Sequence, residues 1–142
     1  MCHYLYLASD EQLPLIPWSE VKPAFNVAEL QDYDLEARKQ FSKTCVVFLG
    51  AYTGCSCGFA YDGEPNEDER DRIDDQDARE SVRALVSYLE EQVKRSSLEI
   101  FACWNGEQGD PPQSTLNVAP DYFVAEEWPI GHEPILLLLS KA

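Results

Sequence analysis

The stretch Tyr52-Thr-Gly54-Cys55-Ser-Cys57-Gly58-Phe59 holds the residue types and spacing best suited to chemistry. In extended backbone, residues two apart point to the same side, so the thiols of Cys55 and Cys57 can converge on one cation. The flanking glycines let the backbone approach closely. Zinc usually takes four ligands, however, so the pair needs partners. Cys103, at the end of an apolar run, and Cys2 and His3, at the chain start, are the nearest candidates, with His132 a more distant one. Cys55, Cys57, Cys103, Cys2 and His3 therefore make up the expected metal set. The expected cofactor is zinc or another soft metal, because such cations prefer thiolate and imidazole. Cys45, inside Cys45-Val-Val-Phe-Leu49, reads as a small core hydrophobe, and Trp18, Trp104 and Trp128 read as packing anchors.

Other chemistry has weaker support in the residues. A disulfide across a single intervening residue is strained and easily reduced, and no basic neighbour lies between Tyr52 and Tyr61 to lower a thiol pKa. A thiol switch is therefore subordinate to metal binding. Removal of Met1 would expose Cys2 as the nucleophile of an N-terminal-cysteine amidohydrolase, but no arginine, asparagine and glycine-rich oxyanion set accompanies it. Asp71-Arg-Ile-Asp74-Asp75-Gln-Asp77 lacks the spacing of a calcium loop and reads as an acidic helix start. No phosphate loop, dinucleotide fingerprint or nucleophile elbow occurs, and no catalytic residue is assigned.

The 142 residues include 11 Lys plus Arg and 26 Asp plus Glu, a formal charge of −15. Such a field repels phosphates, so nucleic acid and anionic membrane are poor partners. Ten acidic and three basic residues fall between Asp62 and Glu80. This concentration suggests a second function: engagement of a basic protein partner, as an immunity or inhibitor protein engages a cationic toxin. The opening MCHYLYLASDEQ lacks the basic region of a secretory signal, and Ile135-Leu-Leu-Leu-Leu139 is far short of the roughly 20 residues that span a bilayer. A cytoplasmic protein with reduced thiols is expected.

These residues need elements to position them. Cys2–Leu7 alternates as a half-buried strand, and the prolines from Leu13 to Pro23 make a packed, non-helical connection. Asp32 or Asp34 is expected to cap a short helix through Phe41, before a central strand at 45–49. Ala78, Val82, Leu85, Val86, Leu89 and Val93 recur at steps of three and four, marking the apolar stripe of a helix over roughly 68–95. Glu90 with Lys94 and Glu91 with Arg95 are spaced for i,i+4 pairs on its exposed face. Strands follow at 98–104, more weakly near 115–124, and at 135–140, with an exposed, turn-rich loop at 105–112.

The pattern predicts a single α+β domain: a mixed four- or five-stranded sheet with one long amphipathic helix and one short helix. The long helix would cross between strands 45–52 and 98–104 as parallel neighbours, opening their C-terminal ends on one edge. A first strand antiparallel to both would bring Cys2 and His3 to that edge.

Met1-Cys2-His-Tyr4 and Gly54-Cys55-Ser-Cys57-Gly58 together resemble small bacterial proteins of unknown function with a Met-Cys-x-Tyr start and a Cys-x-Cys-Gly turn. The resemblance covers under a tenth of the chain. It implies no activity, but it groups Cys2, Cys55 and Cys57.

Overall fold

The apolar stripe and the apolar runs meet as an α+β fold in the computed structural model, which describes residues 3–21, 24–61, 68–131 and 133–140. Strand β1 spans His3–Ser9, β2 Asn26–Ala28, β3 Cys45–Gly50, β4 Leu98–Trp104, β5 Ser114–Val118 and β6 Ile135–Leu139, and helix α1 spans Glu69–Val93. Short 3-10 helices cover Asp32–Gln40, Ser56–Phe59 and Pro120–Phe123. The strands form one mixed sheet in the order β2-β3-β1-β4-β6-β5. All neighbours are antiparallel except β5 and β6.

The sheet has six strands, beyond the four or five expected. Asn26–Ala28 adds a short edge strand after the proline-rich connection, and Ile16 bridges Val27 on its outer side. Strands β3 and β4 do run in the same direction, since both are antiparallel to β1. They are not neighbours, because β1 lies between them. The burial of β1 accounts for this: every residue but Tyr4 is buried, and a strand covered on both faces belongs in the middle of a sheet.

On one face, Leu5, Leu7, Val47, Leu49, Leu98, Ile100, Leu137 and Leu139 pack against the α1 stripe Ala78, Val82, Leu85, Val86, Leu89 and Val93, all buried. Each fully buried Val or Leu there contributes about 1.5–3 kcal/mol. The other face carries a smaller cluster of Tyr6, Ala37, Phe101 and Cys103. The 3-10 helix Asp32–Gln40 covers it, with Gln31 rather than an aspartate at its N-cap. Buried Asp34 pins this helix to the sheet: its carboxylate accepts the Tyr6 hydroxyl at 2.5 Å and the Gln31 N–H at 2.9 Å.

Two local expectations change. The loop after β4 is not wholly exposed: Gln108 is buried, and Gln40 Nε2 donates to the carbonyls of Gln108 and Asp110 at 2.9 and 2.7 Å. The charged pairs at the end of α1 also differ. Regular helix stops at Val93, so Lys94 and Arg95 leave the i,i+4 geometry; Lys94 meets Glu91 at 3.0 Å and Arg95 meets Glu11 at 3.8 Å. Among the described residues no helix is long and apolar enough to cross a membrane.

Candidate dithiol site at the sheet edge

The chain leaves β3 in a turn whose glycines have steric causes. Gly54 has φ of +86°, in the left-handed region that disfavours a side chain. A Cβ at Gly58 would sit 2.5 Å from Thr53 Oγ1 and 2.9 Å from Ala51 Cβ, so only glycine fits. Within the turn the Gly54 N–H donates to Ala51 O at 2.9 Å, and the Ala51 N–H donates to Cys55 O at 3.0 Å.

Ser56, between the two cysteines, fixes the turn to the sheet. Its fully buried hydroxyl donates to Leu49 O at 2.6 Å and accepts the Leu5 N–H at 2.9 Å, so one side chain joins the turn to β1 and β3 together. From outside, the Tyr52 N–H donates to Ser81 Oγ of α1 at 3.0 Å, and Trp18 Nε1 donates to Tyr52 O at 2.9 Å. Phe59, buried and stacked on Trp128 at 5.6 Å, closes the far end.

Both thiols are half-buried and both make polar contacts. Burial alone pushes the Cys55 thiol up, but four hydrogen-bonding groups outweigh it and hold the group below its ordinary value. They are the Thr53 hydroxyl, the Cys57 N–H, the Cys57 thiol and the Gly58 N–H. Thr53 Oγ1 lies 3.4 Å from Cys55 Sγ. The sulfur of Cys57 accepts the His3 N–H at 3.1 Å. Burial raises the neighbouring Tyr52 phenol, as do Asp74 and Asp77 of α1, so the acidic start of α1 bears on the same turn.

The fold treats the expected ligands differently. Cys55 and Cys57 come together, and His3 joins them through its backbone, while its buried ring packs edge-on against Trp104 at 5.6 Å and Trp128 at 6.5 Å. Cys103 reaches the right end of β4 but belongs to the cluster on the opposite face, beside Tyr6 and Phe101. The pleat explains its placement: Trp104 and Ala102 serve the helix-covered side, so Cys103 between them points away. Burial, with Glu107, Asp110 and Asp34, pushes the Cys103 thiol up to about 12. Cys2 and His132 lie outside the described residues. Among the described residues no group of three or more His, Cys, Asp or Glu side chains could hold a metal ion. Cys45 is half-buried against the main core, as a packing residue would be.

Thr53 and Ser56 also shape the site, although neither was expected to. Their signal was present as two small hydroxyl residues interleaved with the glycines and cysteines, the types that bond to nearby backbone in turns. Comparison of the chain with protein-family models, with curated proteins and with solved structures finds no match.

Proposed function

We propose that this protein binds a soft metal cation through the thiolates of Cys55 and Cys57. The observation that carries the reading is the polar contact at each sulfur: the His3 N–H donates to Cys57 Sγ at 3.1 Å, and the Thr53 hydroxyl lies 3.4 Å from Cys55 Sγ. Contacts of this kind stabilise the deprotonated sulfur that a metal requires and orient it as outer-shell partners do. Two convergent thiolates suit Cu(I), which soft sulfur ligands select, better than zinc, which would need further ligands. A reducing cytoplasmic setting keeps such a pair available.

Anaerobic titration of the reduced full chain with Cu(I) against a competing chelator, and in parallel with zinc, tests the reading. One Cu(I) per chain is expected, weakened at least tenfold in Cys55→Ser and in Cys57→Ser and unchanged in Cys103→Ser. At 100 times the dissociation constant the metal should stabilise the fold by about 2.7 kcal/mol. Absence of stoichiometric metal, or the same response in a Cys55→Ser/Cys57→Ser double variant, rejects it.

A second reading, engagement of a basic protein, draws support from α1. Its first turns expose half of Ile73 among Glu69, Asp74 and Gln76, an apolar contact within a charged surface. Negative charge accelerates encounter, and the isoleucine supplies buried area once docked. Salt-sensitive capture of a basic protein from host extract, lost in Ile73→Ser, is the expected result; capture that ignores both salt and the substitution sinks it.

A further inference from the structure

A groove of about 390 Å³ opens on the opposite side of β3 from β1, in the size range of ligand sites (~300–1,000 Å³). It exists because β2 is too short for its neighbour. The β2 register ends where Ala28 meets Phe48, whereas β1 continues to pair β3 down to Cys45. The chain then turns through Glu29 and Leu30 towards the 3-10 helix. Cys45, Val46 and Val47 are thus paired along one side only, and their other side lines the groove. Leu13 and Leu30 form apolar walls, while Arg38 and Glu29 also line it.

Those two charges set the site apart from an ordinary strand edge. In a chain with 26 acidic and only 11 basic residues, neighbouring cations find carboxylates: Lys39 meets Glu36 at 2.7 Å and Lys43 meets Asp10 at 2.8 Å. Arg38 forms no ion pair among the described residues, and neither does Glu29, although both border one small groove. A guanidinium recognises a carboxylate by paired N–H donors, and a carboxylate recognises an ammonium. The same groove is lined by the open strand edge at Cys45–Val47, which is able to hydrogen-bond another backbone.

We propose that this groove binds a short extended peptide with both termini free. Its backbone adds to the open edge at Cys45–Val47, its carboxylate meets Arg38 and its ammonium meets Glu29. Strand addition supplies the main-chain hydrogen bonds, and the leucine walls accept a small apolar side chain. Three extended residues span about 10 Å, enough to run along Cys45–Val47. This site shares no residue with the thiol turn, so it stands independently of the metal reading.

The test is an amide NMR titration of the isotopically labelled full chain with alanyl-leucyl-alanine, its C-terminal amide and its N-acetyl form. Saturable shifts at Cys45–Val47 are expected with the free peptide, and at least tenfold weaker binding of each blocked form. Arg38→Gln should weaken the free peptide to the level of the amide and leave the amide unchanged; Glu29→Gln should do the same with respect to the acetylated form. Absence of saturable shifts overturns the proposal, as does equal binding of free and blocked peptides. Two other outcomes also overturn it: shifts centred on the outer strand β5, which would mark indifferent edge pairing, and acetate alone reproducing the response, which would mark a simple anion site.

Discussion

The Ser56 hydroxyl donates to the Leu49 carbonyl at 2.6 Å, tying the residue between the two cysteines to the end of a central strand. The same oxygen accepts the Leu5 N–H, so the geometry of the dithiol turn is inseparable from the register of β1 on β3. Ser56→Ala leaves a buried donor and a buried acceptor without this partner. At about 1–3 kcal/mol for each orphaned group, the variant should lose roughly 2–6 kcal/mol. Urea unfolding measures this, and a loss below about 0.5 kcal/mol would show that the bridge carries no load.

Gly58 tolerates no side chain, whereas Gly131 has nothing within 4 Å of an added Cβ and no positive φ. Gly58→Ala should destabilise by about 1–3 kcal/mol through overpacking against Thr53 and Ala51. Gly131→Ala should stay within about 0.5 kcal/mol of the parent. Thermal unfolding of the pair checks the contrast, which equal melting temperatures would contradict.

Thiol reactivity should follow local environment. Near neutral pH, iodoacetamide should modify Cys55 first, because hydrogen bonds hold its thiol below the ordinary range, and Cys103 last, because burial raises its thiol to about 12. Thr53→Val should slow the Cys55 reaction severalfold, because the Thr53 hydroxyl is among the groups that hold this thiol below its ordinary value. Peptide mapping by mass spectrometry reads the order; modification of Cys103 before Cys55 in folded protein would refute it.

Alkaline pH should unfold the protein through groups whose protons the folded state holds more tightly. Burial raises the Tyr6 phenol, and its bond to Asp34 raises it further, while Cys103 moves from 9.0 to about 12. Between the unfolded and folded pKa values the native state binds more protons, so stability falls as pH rises. The Cys103 contribution is fully present below pH 9 and is lost as pH climbs towards about 12. Tyr6 acts in the same direction above about pH 10. Urea unfolding across this range should show a decline that is shallower in Tyr6→Phe; an unchanged slope would remove Tyr6 from the account.

Legibility in the sequence followed the range of the interaction that decides each feature. Residues 98–104 read correctly as a strand because their apolar content is local, and α1 was evident because its stripe repeats within one segment. The edge strand Asn26–Ala28 was hidden, since three residues have too little pattern and owe their conformation to pairing with β3. The short helix began earlier than expected because Asp34 lies at the third helical position, where it completes a capping box with Gln31 and binds Tyr6, and Gln31 takes the N-cap.

The candidate sites divide in the same way. Cys55 and Cys57 are brought together by one intervening residue and a glycine-bounded turn, so the chain alone determines that this pair can act as one unit. The chain also determines the apolar stripe of α1 and the acidic excess beside it. Tertiary structure decides what surrounds the pair, because strand order and register are set by the simultaneous packing of both sheet faces. Insertion of β1 between β3 and β4 carries the His3 amide to Cys57, and the pleat of β4 turns Cys103 to the far side. The groove beside Arg38 depends on where β2 stops pairing with β3, a mismatch between strand lengths that arises only when the sheet is assembled.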